Sequence, residues 1–217
     1  AETDTSGRMC QSVDVAQPVR EGRAPFDDLV GERRRQIHDA AIGQFVRRGI
    51  AGTSMANIAD AAGMSRPALY QYFDNKTDIF ASAFVAVFEE HAERAVAALA
   101  QPGTTAERLD RFLQRYEGDL WQILAASPHS EEILQAKDAH IATSIGVVVN
   151  RLWAETEDHL KKIAPGRSRT MTDQRAAWIE LLRFSPRGFA FDRPPIDVYR
   201  RRLRTLARII AADIDSI

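Results

Sequence analysis

The chain has 217 residues, of which 45% are hydrophobic and 27% charged, with a formal net charge of −1. That length buries a real core, and the composition excludes disordered and fibrous classes. No apolar run approaches the ~18 residues that span a bilayer, so no membrane partner is expected, and the single cysteine, Cys10, rules out a disulfide framework within one chain and suits a cytoplasmic setting.

Residues 1–28 carry no apolar stretch of signal-peptide type and read as a flexible lead-in. A first helix is predicted over about 30–48, where Ile37, Ala40, Ala41 and Phe45 follow helical spacing and Gly49 supplies the stop. Thr53 is the expected cap of a second helix whose inner face is Met55, Ile58, Ala59 and Ala62. Gly63 ends it, Ser65 caps a third helix with Pro67 in its first turn, and that helix is expected to run to about Phe73. After Asp74-Asn75 a long amphipathic helix is predicted from Lys76 to near Ala100. Further helices are expected at about 105–126, 130–137, 138–163, 171–184 and 195–216. The breaks between them are Ser127-Pro128, Ala164-Pro165-Gly166 and a loop from Ser185 to Pro195. No alternating strand pattern occurs, so the expected class is all-α with about nine helices.

Two short helices around a glycine turn form a helix-turn-helix, whose second helix can enter a DNA major groove. From Gly31 to Lys76 seven cations face four anions, leaving about +3 on this segment of a nearly neutral chain. Local positive charge suits a polyanionic partner. With Ala68, Leu69 and Phe73 expected to face inward, Arg66, Pro67, Tyr70, Gln71 and Tyr72 remain outside. Arg66 has the reach for a bidentate contact to guanine, and Pro67 and Ala68 can touch a thymine methyl. Tyr70, Tyr72 and Lys76 are suitable phosphate ligands that would fix the helix in register. The Arg33-Arg34-Arg35 run fits a phosphate contact and a solvated helix start equally well.

The stretch QFVRRGIAGTSMANIADAAGMSRPALYQYFDNKTDIF, Gln44 to Phe80, resembles the N-terminal DNA-binding domain of the TetR family of transcriptional regulators. The residues that carry the resemblance are Phe45, Gly49, Thr53-Ser54, Ile58-Ala59, Ala62-Gly63, Ser65, Leu69-Tyr70, Tyr72-Phe73, Lys76 and Phe80. Ala68 departs from it, standing where many relatives carry Thr. The resemblance adds Thr53, Ser54 and Ser65 to the DNA-contacting set. It also implies a helical ligand-binding and dimerisation domain in the rest of the chain. The expected organisation is therefore a lead-in at 1–28, a DNA-binding domain at 29–78 with its motif at 54–73, and a second domain at 79–217.

That second domain carries no signature of its own. Its aromatics lie on helical faces, and Phe84, Phe88, Phe112, Tyr116, Trp121, Trp153 and Trp178 are the candidate walls of an apolar cavity, with His91, His140 or Asn150 as polar orienting groups. A homodimer is expected through the last two helices, where Trp178, Leu182, Tyr199, Leu203, Leu206 and Ile210 recur at helical spacing. A stripe that wide could also simply cap the core. No metal site, cofactor or enzymatic activity is expected. His129, His140 and His159 have no compact ligand spacing, no glycine-rich phosphate loop or G-x-S-x-G occurs, and no carboxylate precedes a histidine by three. Two functional readings stay open. One is a repressor released from a palindromic double-stranded operator by a small apolar effector. The other is a DNA-binding dimer whose large domain docks a protein.

Overall fold

Helix follows helix along the chain, and most stops fall where the residues supply them. The computed structural model describes residues 25–136, 139–166 and 168–217. Residues 1–24, with Cys10 and most of the expected lead-in, lie outside the described residues.

The helices are α1 (Pro25–Arg48), α2 (Met55–Ala61), α3 (Arg66–Tyr70), α4 (Lys76–Ala100), α5 (Thr105–Leu113), α6 (Asp119–Ala125), α7 (Ser130–Gln135), α8 (Ala139–Ile163), α9 (Arg169–Phe189) and α10 (Ile196–Asp215). A π turn, Gln114–Gly118, joins α5 to α6 without a break, so the described residues form nine rods and no strand. The all-α expectation holds, and the single predicted helix at 105–126 is this rod with a π turn inside it.

Four boundaries differ from expectation. Helix α3 ends at Tyr70 rather than near Phe73, because the Tyr72 and Phe73 N–H groups both turn to the Leu69 carbonyl and close the helix. Helix α1 begins at Pro25 rather than near residue 30, because proline is well suited to a first helical position. Ser54, not Thr53, caps α2: its hydroxyl accepts from the Asn57 N–H while the Asn57 side chain accepts from the Ser54 N–H. The expected stop at Ser185-Pro186 is overturned, since α9 runs through Pro186 to Phe189. The proline removes one N–H, but its carbonyl still accepts from the Ala190 N–H at 3.1 Å, and the ring is buried. The loop shrinks accordingly to Ala190–Pro195.

Two cores form. The first gathers Ile37, Phe45, Ile58, Leu69, Phe73 and Phe80 from α1 to α4, with Ile133 and Ile141 reaching it from beyond. The second holds Leu99, Leu109, Phe112, Leu152, Trp178 and Leu203. Helix α4 runs through both, and Phe88 packs against each. The six residues expected at a dimer interface are core residues instead. Trp178, Leu182, Tyr199, Leu203, Leu206 and Ile210 are all buried within their own chain, and the Trp178 Nε1 donates to Asp213 at 2.7 Å. The stripe is wide because it closes the bundle. What α9 and α10 leave exposed is Leu181, Phe184 and Ile209.

Candidate nucleic-acid interface and seam cavity

Five residues cannot hold a helix alone, so α3 depends on its anchors. Leu69 is fully buried in the first core and Phe73, in the turn after the helix, nearly so. The Ser65 hydroxyl accepts from the Ala68 N–H at 3.3 Å and fixes the start. Gly63, at φ 64, makes the turn before it, a conformation that residues with a Cβ rarely adopt. With its apolar face so fastened, α3 turns Arg66, Pro67 and Tyr70 to solvent. Arg66 lies against Tyr70, its guanidinium 5.6 Å from the ring centroid and Nη2 donating to the hydroxyl at 3.3 Å. One helical turn separates the pair, which presents a flat cation and a phenol side by side.

Not every expected contact residue stands on that surface. The Thr53 side chain is buried and its hydroxyl donates to the Gly49 carbonyl at 2.6 Å. Tyr72 is half-buried against the first core, and Ala68 is half-buried as well. Lys76 has another task. Its ammonium donates to the carbonyls of Ile50, Ala51 and Thr53 at 2.7, 3.3 and 2.9 Å, which engages all three of its N–H groups. It ties α4 to the α1–α2 loop, a structural role that sequence spacing did not reveal, beside the phosphate contact expected of it. Arg34 lies over the Phe73 ring, 5.1 Å from its centroid, and Arg35 pairs with Glu32.

Where the two cores meet, they leave a cavity of about 300 Å³. Helix α1 contributes Phe45 and Val46, and α4 contributes Phe80, Phe84 and Phe88. These phenyl rings form a ladder with successive centroids 5.3 Å apart. The π turn and α6 add Tyr116, Glu117 and Trp121, while α8 adds Val149 and Trp153. Of the seven expected wall residues, Phe84, Phe88, Tyr116, Trp121 and Trp153 line the cavity. Phe112 and Trp178 do not, being sealed in the second core.

The polar groups of the cavity are ones that sequence reasoning missed: Glu117, Arg183, Arg187 and Tyr199. The π turn brings Glu117 to this wall, and the uninterrupted α9 brings Arg183 and Arg187. Burial pushes the Glu117 carboxyl up to about 7, against the opposing pull of Arg187 and of the Tyr199 hydroxyl, which donates to it at 3.4 Å. Burial also raises the Tyr116 and Tyr199 phenols, so both stay neutral at ordinary pH. The expected orienting groups lie elsewhere: His91 is bonded to the Val87 carbonyl, Asn150 is exposed, and the His140 side chain is outside the described residues.

Two hydrogen bonds tie the larger unit to the end of α1. The Ser127 hydroxyl donates to the Val46 carbonyl at 2.7 Å, and the Ala51 N–H donates to the Glu132 carboxylate at 2.7 Å. Gly49, at φ 70, adopts a conformation that residues with a Cβ rarely take, and a Cβ there would also push the Glu132 carboxylate aside.

Residues 37–83 match the family described as bacterial regulatory proteins, tetR family. The chain is 39% identical over 94 residues to the transcriptional activator FasR of Mycolicibacterium smegmatis, covering 43% of this chain and 39% of that protein. It is 40% identical over 60 residues to the regulator TtgR of Pseudomonas putida, covering 28% and 29%. With the probable acrEF/envCD operon repressor of Escherichia coli it shares 43% identity over 47 residues, 22% and 21% of the two chains. The match thus spans well under two thirds of the length of these relatives. In overall fold the chain is similar to a TetR-family transcriptional regulator from Streptomyces coelicolor, with TM-score 0.55 and 21% identity over 84% of this chain and 80% of that one. No helix among the described residues is long and apolar enough to cross a membrane.

Proposed function

We propose that this chain, whose residues 37–83 match the tetR family of bacterial regulatory proteins, is a cytoplasmic, homodimeric repressor that releases its operator when a small effector fills the seam cavity. The observation that carries this reading is the composition of the cavity wall. It takes Phe45 and Val46 from the helix that supports the helix-turn-helix, and Tyr116, Trp121 and Trp153 from the larger unit. A ligand lodged there presses on both cores at once.

In this reading α3 lies in the major groove, with Arg66 reading bases, Pro67 touching a base edge, and Ser54, Ser65 and Tyr70 meeting the backbone. Two-fold symmetry follows from the need to engage half-sites one helical turn apart, about 34–36 Å. The exposed Leu181, Phe184 and Ile209 on α9 and α10 supply the apolar patch for the second copy. Taking operator occupancy from roughly 99:1 to 1:99 requires a ~10⁴-fold preference of the effector for the released state. A few hundred Å² of apolar ligand surface buried in that state, at ~25 cal/mol per Å², is of the right order when two sites act together.

Operator selection from a randomised duplex pool tests the reading, followed by fluorescence anisotropy on the selected site. A palindromic sequence bound by two copies supports it. Binding that shows no sequence preference, or a protein that stays monomeric on DNA, would refute it.

A further inference from the structure

We infer that the seam cavity takes an amphiphile with a single anionic head, a carboxylate, held between Arg183 and Arg187 with its apolar body along the phenylalanine ladder. The inference rests on the reading of the cavity as an effector site and names the class of molecule.

Among the described residues of the cavity wall, three side chains carry charge near neutrality, Glu117, Arg183 and Arg187. The two arginines stand one turn apart on α9, their guanidinium groups 5.4 and 5.8 Å from the centroid of the same Phe184 ring. Among the described residues neither arginine is in a salt bridge, and the Arg183 Nε is buried with no acceptor. A buried donor without an acceptor is destabilising, and a carboxylate offers two oxygens that match the guanidinium fork. Glu117 meets that need only in part, because its carboxyl is half protonated near pH 7 and already accepts from the Tyr199 hydroxyl at 3.4 Å.

Among the described wall residues, the other elements around Glu117 bring no further anion. Helices α4 and α8 contribute Phe84, Phe88, Val149 and Trp153 to the wall, all apolar. Tyr116 and Tyr199 remain neutral. A cationic head would meet two guanidinium groups and one carboxyl that is half protonated near pH 7. Ionising Glu117 places a negative charge beside the bound head. Carboxylate affinity is therefore highest below about 7 and falls as pH rises through that value, the opposite of the trend for a cation. A volume of about 300 Å³ stands at the small end of ligand sites, which fits one short chain or a small ring system.

Trp121 and Trp153 in the wall give a direct readout by fluorescence quenching. The probes are decanoate, its methyl ester and decyltrimethylammonium, titrated on either side of the Glu117 transition. Decanoate is expected to bind about tenfold tighter than either of the others, a gap of about 1.4 kcal/mol. Replacing both arginines (Arg183→Gln with Arg187→Gln) should bring decanoate down to the level of the ester, while an unchanged helical circular-dichroism melt shows that the variant is folded. Glu117→Gln should flatten the pH dependence of decanoate binding. The inference is overturned if the cation binds as tightly as decanoate, or if the preference survives loss of both arginines. An ester or cation that binds and releases operator DNA would remove this inference and leave the effector reading standing. Silence from all three probes would remove both.

Discussion

The two parts of this chain are built on different length scales. From α1 to the start of α4, each helix is set by a neighbour in sequence: Ser54 with Asn57, Ser65 with Ala68, Asn75 with Asp78. The larger unit has local caps as well, Thr104 with Glu107 and Ser168 with Met171, but its aromatic and cavity groups are set by partners far apart. Trp178 reaches Asp213, Tyr199 reaches Glu117, and the cavity draws on residues from Ile42 to Tyr199. The first part presents a rigid outer surface, and the second leaves space inside. A DNA reader needs the former and a sensor needs the latter, so how the packing free energy is distributed already divides the work.

The largest effects should come from the packing itself. Phe112 is fully buried and packs edge-on against Trp153, with ring centroids 5.8 Å apart. Phe112→Ala is expected to cost about 3–5 kcal/mol in urea unfolding. Phe88 packs against both cores but is only half-buried, with the cavity along its ring, and Phe88→Ala should cost less than Phe112→Ala. Equal losses would mean that the cavity is closed in solution. Next comes Lys76→Ala, which removes three charged donors from the α1–α2 loop and should lower unfolding stability by about 1.5–3 kcal/mol in the absence of DNA. An unchanged melting temperature, with the salt slope of DNA binding reduced by about one, would assign Lys76 to the phosphate contacts alone.

What the sequence disclosed follows the same division. Glycine stops, serine caps and apolar spacing are local, so the three N-terminal helices, the exposed Arg66–Tyr70 pair and the all-α class were legible. Helix α9 was shortened because a proline usually ends a helix, and here Pro186 is buried in one. Arg187 lies beyond the predicted stop, whereas Arg183 lies inside the predicted helix and no local signal shows that it faces a cavity. Glu117 was illegible because a π turn shifts the register by one residue, and no spacing rule for an α-helix predicts which side chain then turns inward. The dimer stripe misled for another reason. Periodicity reports that a face is buried, not whether the covering partner is the same chain or a second copy.

A smaller and more selective effect is expected on the outer surface. Arg66 makes no contact with the core, so Arg66→Ala should leave the melting temperature unchanged. On the proposed operator it should cost about 1–3 kcal/mol and relax the preference at one base pair of each half-site. Tested against a randomised library, a uniform loss across all sequences would make Arg66 a phosphate ligand rather than a base reader. It would then fall to Pro67 and Ala68 to discriminate sequence.

The smallest expected change lies on the link between the two parts. Glu132 is half-exposed, and its carboxylate accepts the Ala51 N–H just beyond α1 while lying against Gly49. A single bond to a charged acceptor at a partly solvated site contributes roughly 0.5–1.5 kcal/mol. Glu132→Ala should therefore leave global unfolding nearly unaltered. Its effect should be local: the Ala51 amide loses its acceptor and exchanges with solvent about tenfold faster, while amides in the middle of α10 keep their protection. Ser127 still holds the Val46 carbonyl, so the end of α1 loosens without detaching. If the Ala51 amide kept its full protection in the variant, the tie would have to run through Ser127 and the shared Phe45–Phe80–Phe84 packing alone. The two parts would then communicate through the cavity wall itself, and a ligand in that cavity would act on α1 by displacing rings rather than by breaking a hydrogen bond.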